Sequence, residues 1–498
     1  MNTLKRDIQH ATRGAVIHAA GFGLSGAMGL LMAVLLPKVL GIRDYGNWII
    51  FRSMGNLLVS LTVFGAPQVL SRFYVADRTE GKDLQAFRLF KTLSVSRLLL
   101  SFVAGAVGAI LLLSLGNPAL DRSAALFFIL SIVSQNLLIS FMLLLNSERL
   151  MVRIAFLLVV RSVFVPGLIL FVYPAWGFVG VPIACAIGDS VVGLLYIISS
   201  LNVLQWPTGW LERSQWSTIV RFVGVTAISV VLLNLYPQLL PFLMGHRQMP
   251  VEEIGLIGLS FRCTQVLQGA LGSVATALFP FLVLALQKES DARAVKWHRL
   301  ICRLGLIVIL AATGTFMVLG QHLVGWVWGE SYEGVAEVLL LCLIALAPSW
   351  VGCQYCQLGI LFKQTRVYAV AVAVLVVLSF SVFFLLGPGQ GARGGAIAWC
   401  IGAFGFAVAA RAMARQVVGR RLGLRGTLGP VASILVLILV RNLTSTLLGD
   451  FILWGLWTVV FLGLSALTRS LRWYEVREIA QQLVTREKES PDVLGSDF

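Results

Sequence analysis

Three arginines, Arg52, Arg161 and Arg262, stand inside long apolar stretches of this 498-residue chain. Arginine never gives up its charge and offers planar pairs of N–H donors that match phosphate or carboxylate oxygens, so the chemistry it suits is anion binding rather than proton transfer. A mid-bilayer arginine costs about 2.5 to 3.5 kcal/mol on insertion scales, so such residues face a polar cavity or a partner. One carboxylate, Asp189, lies equally deep in an apolar stretch. It either neutralises Arg161 on the neighbouring stretch or takes part in ion coupling. Arg262 has no acidic candidate nearby once Glu252 and Glu253, at the end of its stretch, are set aside. It is either a ligand for an anion or a partner of backbone carbonyls or a distant acid. Gln265 and Gln268 follow one and two turns later on nearly the same face, and Gln135, Asn136 and His18 are further polar candidates for a shared cavity. Arg52 is shallower and expected to snorkel. The five histidines, His10, His18, His246, His298 and His322, form no triad or metal spacing. Cys353-x-x-Cys356 has no second pair and reads as packing. No enzyme, cofactor or metal site is expected.

The elements that must hold these residues are membrane helices. With 58% hydrophobic and 12% charged residues, most of the chain cannot be the surface of a soluble domain. A bilayer core needs about 20 apolar residues per helix, and 14 such runs begin near residues 15, 46, 92, 123, 154, 177, 217, 254, 300, 333, 367, 391, 427 and 450. The runs are continuous, without the alternation of a membrane barrel. They also repeat. Gly177-Phe178-Val179-Gly180-Val181-Pro182-Ile183-Ala184 returns 214 positions later as Gly391-Ala392-Arg393-Gly394-Gly395-Ala396-Ile397-Ala398, and Pro67 with Pro280 and Gly116 with Gly329 are both 213 apart. Six helices per copy is an even number, so the repeats are parallel. The expected organisation is an N-terminal lobe over residues 1–205, a C-terminal lobe over 206–425, two extra helices over 426–468, and an amphipathic cytoplasmic tail over 469–498.

The net charge of +16 suggests nucleic acid until the charges are placed. Of 39 Lys and Arg, six fall in connections after odd-numbered runs (Lys38, Arg43, Arg122, Arg247, Arg393, Arg441), 30 in the termini and the connections after even-numbered runs, and three inside runs. The positive-inside rule then puts both termini in the cytoplasm and makes the bilayer, not nucleic acid, the partner. The first run is too long for a secretory signal and lacks a clear cleavage site. Tyr45, Trp48, Trp326 and Trp328, at the outer helix ends, read as interfacial anchors.

A major facilitator would carry a Gly-rich motif with Asp and Arg between helices 2 and 3, and Arg72 to Lys82 does not. Leu40-Gly41-Ile42-Arg43-Asp44-Tyr45-Gly46, Phe64-Gly65-Ala66-Pro67 through Arg72-Phe73, Trp326-Val327-Trp328-Gly329-Glu330-Ser331-Tyr332 and the two Gly-x-x-Gly-x-x-Ile-Ala openings keep another order and spacing. Over about residues 10 to 425 the chain resembles the multidrug/oligosaccharidyl-lipid/polysaccharide (MOP) exporter superfamily and, within it, the bacterial polysaccharide repeat-unit flippases of O-antigen and exopolysaccharide synthesis. The resemblance implies two six-helix lobes around a central cavity, in the bacterial inner membrane. It implies a polyprenyl-pyrophosphate-linked oligosaccharide as substrate, moved outward by alternating access, with Arg262, Arg161, Arg52 and Gln265 binding the head group. Helices 13 and 14 lie outside the repeat, as a lipid groove or a contact with polysaccharide polymerisation proteins. The multidrug branch would show several cavity carboxylates where this chain has Asp189, and a peptidoglycan lipid-precursor flippase would share the cationic cavity. A polysaccharide polymerase or ligase would need a large outer loop with Arg and His, and the outer loops here are short.

Overall fold

A computed structural model describes the backbone of residues 2–418 apart from 64, 149, 289–290, 363 and 365, together with 431–434, 437–438 and 447–467. The chain is all-helical there. α1 (2–40) and α2 (42–63) meet at a kink at Gly41. Then come α3 (Asp83–Leu113), α4 (Arg122–Ser147), α5 (Met151–Trp176), α6 (Gly180–Ser200), α7 (Arg213–His246), α8 (Val251–Lys288), α9 (Asp291–Trp328) and α10 (Gly334–Leu361). α11 (366–390) and α12 (392–418) meet at Gly391, and α13 is Leu447–Leu467. Spans such as Gly23–Val63, Met151–Ser200 and Arg366–Gln416 are each long enough for two membrane crossings. Most of the run expected from 427 and the tail expected over 469–498 lie outside the described residues.

Helix starts depart from the apolar runs where polar turns continue a helix beyond the lipid. α3 begins at Asp83 and α9 at Asp291, each about nine residues ahead of its apolar run, because charged residues hinder helix crossing and not helix formation. α4 has a well-formed cap: Asp121 Oδ1 accepts from the Ala124 backbone N–H at 2.9 Å and from the Ser123 hydroxyl at 2.6 Å. Those two bonds hold the Asp121 carboxyl below the ordinary aspartate range.

The repeat is written in the backbone at one end of the bundle. Three turns of the first half carry Gly41, Gly116 and Gly177 at φ of 70°, 62° and 58°, and the matching turns of the second half carry Gln248, Gly329 and Gly391 at 55°, 90° and 52°. Five of the six are glycines because the left-handed region costs an L side chain energy. Gln248 opposite Gly41 is why the first of these pairs is not legible as two glycines.

Helices α1 to α6 pack on one another, as do α7 to α12, giving two lobes. At the Gly41 end one apolar core spans both, with Leu36, Tyr45 and Trp48 of the first lobe beside Tyr332, Val335 and Phe383 of the second. At the opposite end the described residues form two cores, one around Phe87, Phe90 and Tyr196 and one around Trp350, Phe406 and Ala410. The lobes thus meet at the Gly41 end and diverge from it. Apolar side chains such as Phe171 and Leu385 point outward, as lipid as solvent permits.

In lipid there is no hydrophobic gain from joining two helices, so the junction rests on close packing and hydrogen bonds. A Cβ at Gly46 would overlap the Val251 carbonyl oxygen, one at Gly255 would fall 2.7 Å from the Ile42 carbonyl oxygen, and one at Gly258 would meet Ile49. Backbone cannot move aside as a side chain can. Pro37 adds a second tie. It lacks an N–H, so the Ala33 carbonyl loses its helical partner, and Trp328 Nε1–H donates to that oxygen at 3.1 Å. The Tyr332 hydroxyl donates to the Pro37 carbonyl at 2.7 Å. Trp328 is therefore a half-buried lobe-to-lobe tie rather than the interfacial anchor its position suggested; Trp326, 60% exposed, fits that role.

Gly46→Leu is expected to prise α2 from α8 while leaving each lobe folded. With the native cysteines replaced and Trp48→Cys introduced, a membrane-impermeant thiol reagent applied at the Gly41 side should label the Gly46→Leu protein several-fold faster. Equal rates would mean that the seam does not seal this end.

Candidate functional site

Arg52 is the eleventh residue of α2 and Arg262 the twelfth of α8, both helices starting at the Gly41 end. At 1.5 Å per residue each lies roughly 15 to 17 Å down its helix. Arg161 is ten residues along α5, which approaches from the opposite end, so the three guanidiniums converge near half depth. They line one cavity of about 240 Å³, together with Ser25, Met32, Tyr45, Trp48, Ser162, Cys185 and Val266. The first lobe supplies two of the cations and the second supplies one.

Asp189 stands behind the first pair on α6, fully buried. Arg52 Nη1 is 3.4 Å from Oδ2 and Arg161 Nη2 is 3.6 Å from Oδ1. Ser131 of α4 donates to Oδ2 at 3.1 Å and takes a bond itself from Gln135 Nε2 at 3.0 Å. The expected pairing of Arg161 with Asp189 is therefore half of a shared arrangement. Arg52 does not snorkel to a surface. It turns inward because a carboxylate at the same depth is a better partner than a distant head-group layer.

Arg262 has no carboxylate within ion-pair distance among the described residues. Its guanidinium lies over the Trp48 ring at 5.7 Å from the centroid. A desolvated cation over indole gains about 2 kcal/mol. Trp48 is 4% exposed and Tyr45 is fully buried, so both belong to the cavity wall and not to an interfacial belt. Sequence position alone gave no sign of this, because interfacial and buried tryptophans occur at the same helix ends.

The polar candidates separate. Gln265 and Gln268 line a different cavity of about 50 Å³ inside the second lobe, with Asn234, Thr264 and Ser349, and Arg262 does not reach it. Three residues turn a helix by about 300°, a net offset of about 60°, so Gln265 stays on nearly the same face of α8 as Arg262 and yet falls into the neighbouring cavity. Asn136 is buried in a knot with Thr62 and Arg97, and Gln135 serves Ser131. The side chain of His18 lies outside the described residues.

The chain can now be set beside solved structures. No protein-family model and no curated protein sequence matches it. The lipid II flippase MurJ in an inward closed conformation aligns over 93% of this chain and 99% of its own, at 12% identity and a TM-score of 0.67. An inward-facing multidrug resistance MATE transporter of the MOP superfamily aligns over 81% and 98%, at 15% identity and 0.57. A MOP superfamily transporter from Pyrococcus furiosus, described as having a binding pocket of reversed polarity, aligns over 82% and 95%, at 16% identity and 0.54. The chain has the MOP exporter fold. These similar structures are flippases and transporters, not enzymes.

Within the MOP fold one further buried cation emerges. Arg97, counted in sequence among the basic connections although it follows the start of its apolar run near 92 by five residues, is fourteen residues into α3 and 4% exposed. It donates to Ser140 Oγ at 2.9 Å and Asn136 Oδ1 at 3.2 Å, away from the cavity. The signal that finds it is the helix start at Asp83. The cavity thus holds three guanidiniums against one carboxylate among the described residues, leaving two positive charges uncompensated.

Because Asp189 is shared, Arg52→Ala and Arg161→Ala should each be mild alone and severe together, when a buried carboxylate is left without a cation. The double variant is expected to lose about 3 to 5 kcal/mol, read as thermal unfolding in detergent. A sum of two equal, independent losses would contradict the sharing.

Proposed function

We propose that this protein is a flippase that carries a polyprenyl-pyrophosphate-linked oligosaccharide from the cytoplasmic to the outer leaflet of a bacterial inner membrane. The observation that carries the reading is the convergence of Arg52, Arg161 and Arg262 on one mid-membrane cavity with two charges to spare. Guanidiniums on three helices can grip the oxygens of two linked phosphoryl groups bidentately. The Gly41 end faces outward in this reading, because the basic connections lie at the other end. The head group enters between the diverging halves of the lobes while its lipid tail stays in the bilayer. Arg262 anchors it from the second lobe, Arg52 and Arg161 from the first, and the lobes then rock so that the glycine seam of α2 and α8 parts. Moving about two negative charges outward across an inside-negative potential releases about 2.3 kcal/mol per charge per 100 mV. Gln265 would act on the second lobe's own polar cavity and not on the head group.

A peptidoglycan lipid precursor is the second reading. It is favoured by the MurJ alignment, which takes in 93% of this chain where the MATE alignment takes in 81%. It presents the same pyrophosphate, so the arginines do not separate the two. A cationic drug is disfavoured by the charge of the cavity.

The test is transfer in proteoliposomes, with a polyprenyl-pyrophosphate oligosaccharide and the peptidoglycan precursor offered separately and lectin or antibiotic access read on the far side. Transfer of the first, reduced at least tenfold in folded Arg262→Ala, is expected. Transfer of neither lipid by a folded protein would sink the flippase reading.

A further inference from the structure

We propose that Asp189 is a built-in counter-anion that fixes the charge of the head group this cavity accepts at two. The inference rests on the reading of the cavity as a pyrophosphate site and adds what that site selects.

The carboxylate is placed to tune charge rather than to consume the arginines. Its contacts of 3.4 Å to Arg52 and 3.6 Å to Arg161 are longer than the roughly 2.7 to 2.9 Å of a full charge-assisted bond. Asp189 Oδ1 has no hydrogen-bond partner among the described residues. The two arginine side chains stay 17% and 26% exposed and keep donors turned to the cavity. Asp189 itself is fully buried and is tethered by Ser131 and, behind it, Gln135, so an arriving ligand cannot carry it off. It is a fixed negative charge a few ångströms behind a mobile one. The first lobe then presents one net positive charge and the second, through Arg262, another.

That sum distinguishes two chemically close lipids. A pyrophosphate bonded on both sides, to a polyprenol and to a sugar, carries about two negative charges. The same lipid without its sugar ends in a free phosphoryl group, whose second ionisation near pH 6 adds most of a third. A cavity with two spare positive charges leaves the third unmatched in a poorly solvated place, and stripping its hydration without a cation to pair it disfavours the bare carrier by about tenfold. Asp189 thus helps the protein take the loaded lipid and pass over the empty one.

Uridine diphosphate glucose and uridine diphosphate are soluble probes that differ in this charge and share the nucleoside. By isothermal titration on the full chain in detergent, the unsubstituted protein should prefer the former by about tenfold. Asp189→Asn should shift the preference toward uridine diphosphate by a similar factor. Arg161→Gln with Asp189→Asn, which returns the net charge to two, should restore the original order. An unchanged preference in folded Asp189→Asn overturns the proposal, as does a double variant that keeps the shifted order. If Asp189→Asn does not fold, Arg161→Gln alone tests the same sum. It should raise binding of the singly charged methyl ester of uridine monophosphate relative to uridine diphosphate glucose, and no change overturns the proposal. A folded parent that binds neither diphosphate removes the underlying pyrophosphate reading, a separate failure from binding without discrimination.

Discussion

The structure is arranged around the cost of keeping guanidinium groups at half the depth of a bilayer. Desolvating three cations in one place is unfavourable twice over, once for each lost hydration shell and again for their mutual repulsion. The chain lowers this cost with one buried carboxylate shared by Arg52 and Arg161, and with the face of Trp48 beneath Arg262. It stops short of cancelling it. A cavity that was fully neutralised would gain nothing from an anion, whereas one with residual charge gains on binding what it gave up on folding.

Arg97 is the useful contrast. It is more fully buried than Arg52 or Arg161, yet its two terminal nitrogens donate to Ser140 and Asn136 and it lines none of the described cavities. Neutral oxygens can hold a cation in place when no ligand has to reach it. The difference between a structural and a functional arginine in this protein lies in what stands around the guanidinium, and both kinds look alike in a run of leucines and valines.

Closure between the lobes follows from the same lipid physics. Apolar surface has no reason to leave lipid for another helix, so α2 and α8 are joined by backbone contact at Gly46 and Gly255 and by Ile49 packed on Gly258, and the lobes further by hydrogen bonds from Trp328 and Tyr332 to carbonyls around Pro37. Such a junction is tight, but its burial adds little to hold it because lipid solvates apolar side chains as well as protein does. It suits a contact that must separate and reform, and it stands less than two helical turns from Arg52 and Arg262, the residues whose ligand would drive the change.

The amino-acid sequence alone determined the medium, the helical class and the two-fold plan. Apolar run length is set by bilayer thickness, and the paired turns need left-handed backbone that glycine supplies cheaply, so Gly116 with Gly329 and Gly177 with Gly391 could be matched by eye. The intramembrane arginines and Asp189 were legible because charge in an apolar run is costly and therefore conspicuous. What tertiary structure decided is which way each side chain looks. Arg262 and Gln265, one turn apart and offset by only about 60° on α8, fall into different cavities, one between the lobes and one inside the second, because of what packs beside each. It also decided that Asp189 serves two arginines, that Trp48 and Tyr45 line the cavity, and that Arg97 is buried. Those outcomes depend on neighbours brought in from other helices, 39 and 43 residues away for Arg97 and 137 for Arg52 with Asp189, and no local pattern carries that information.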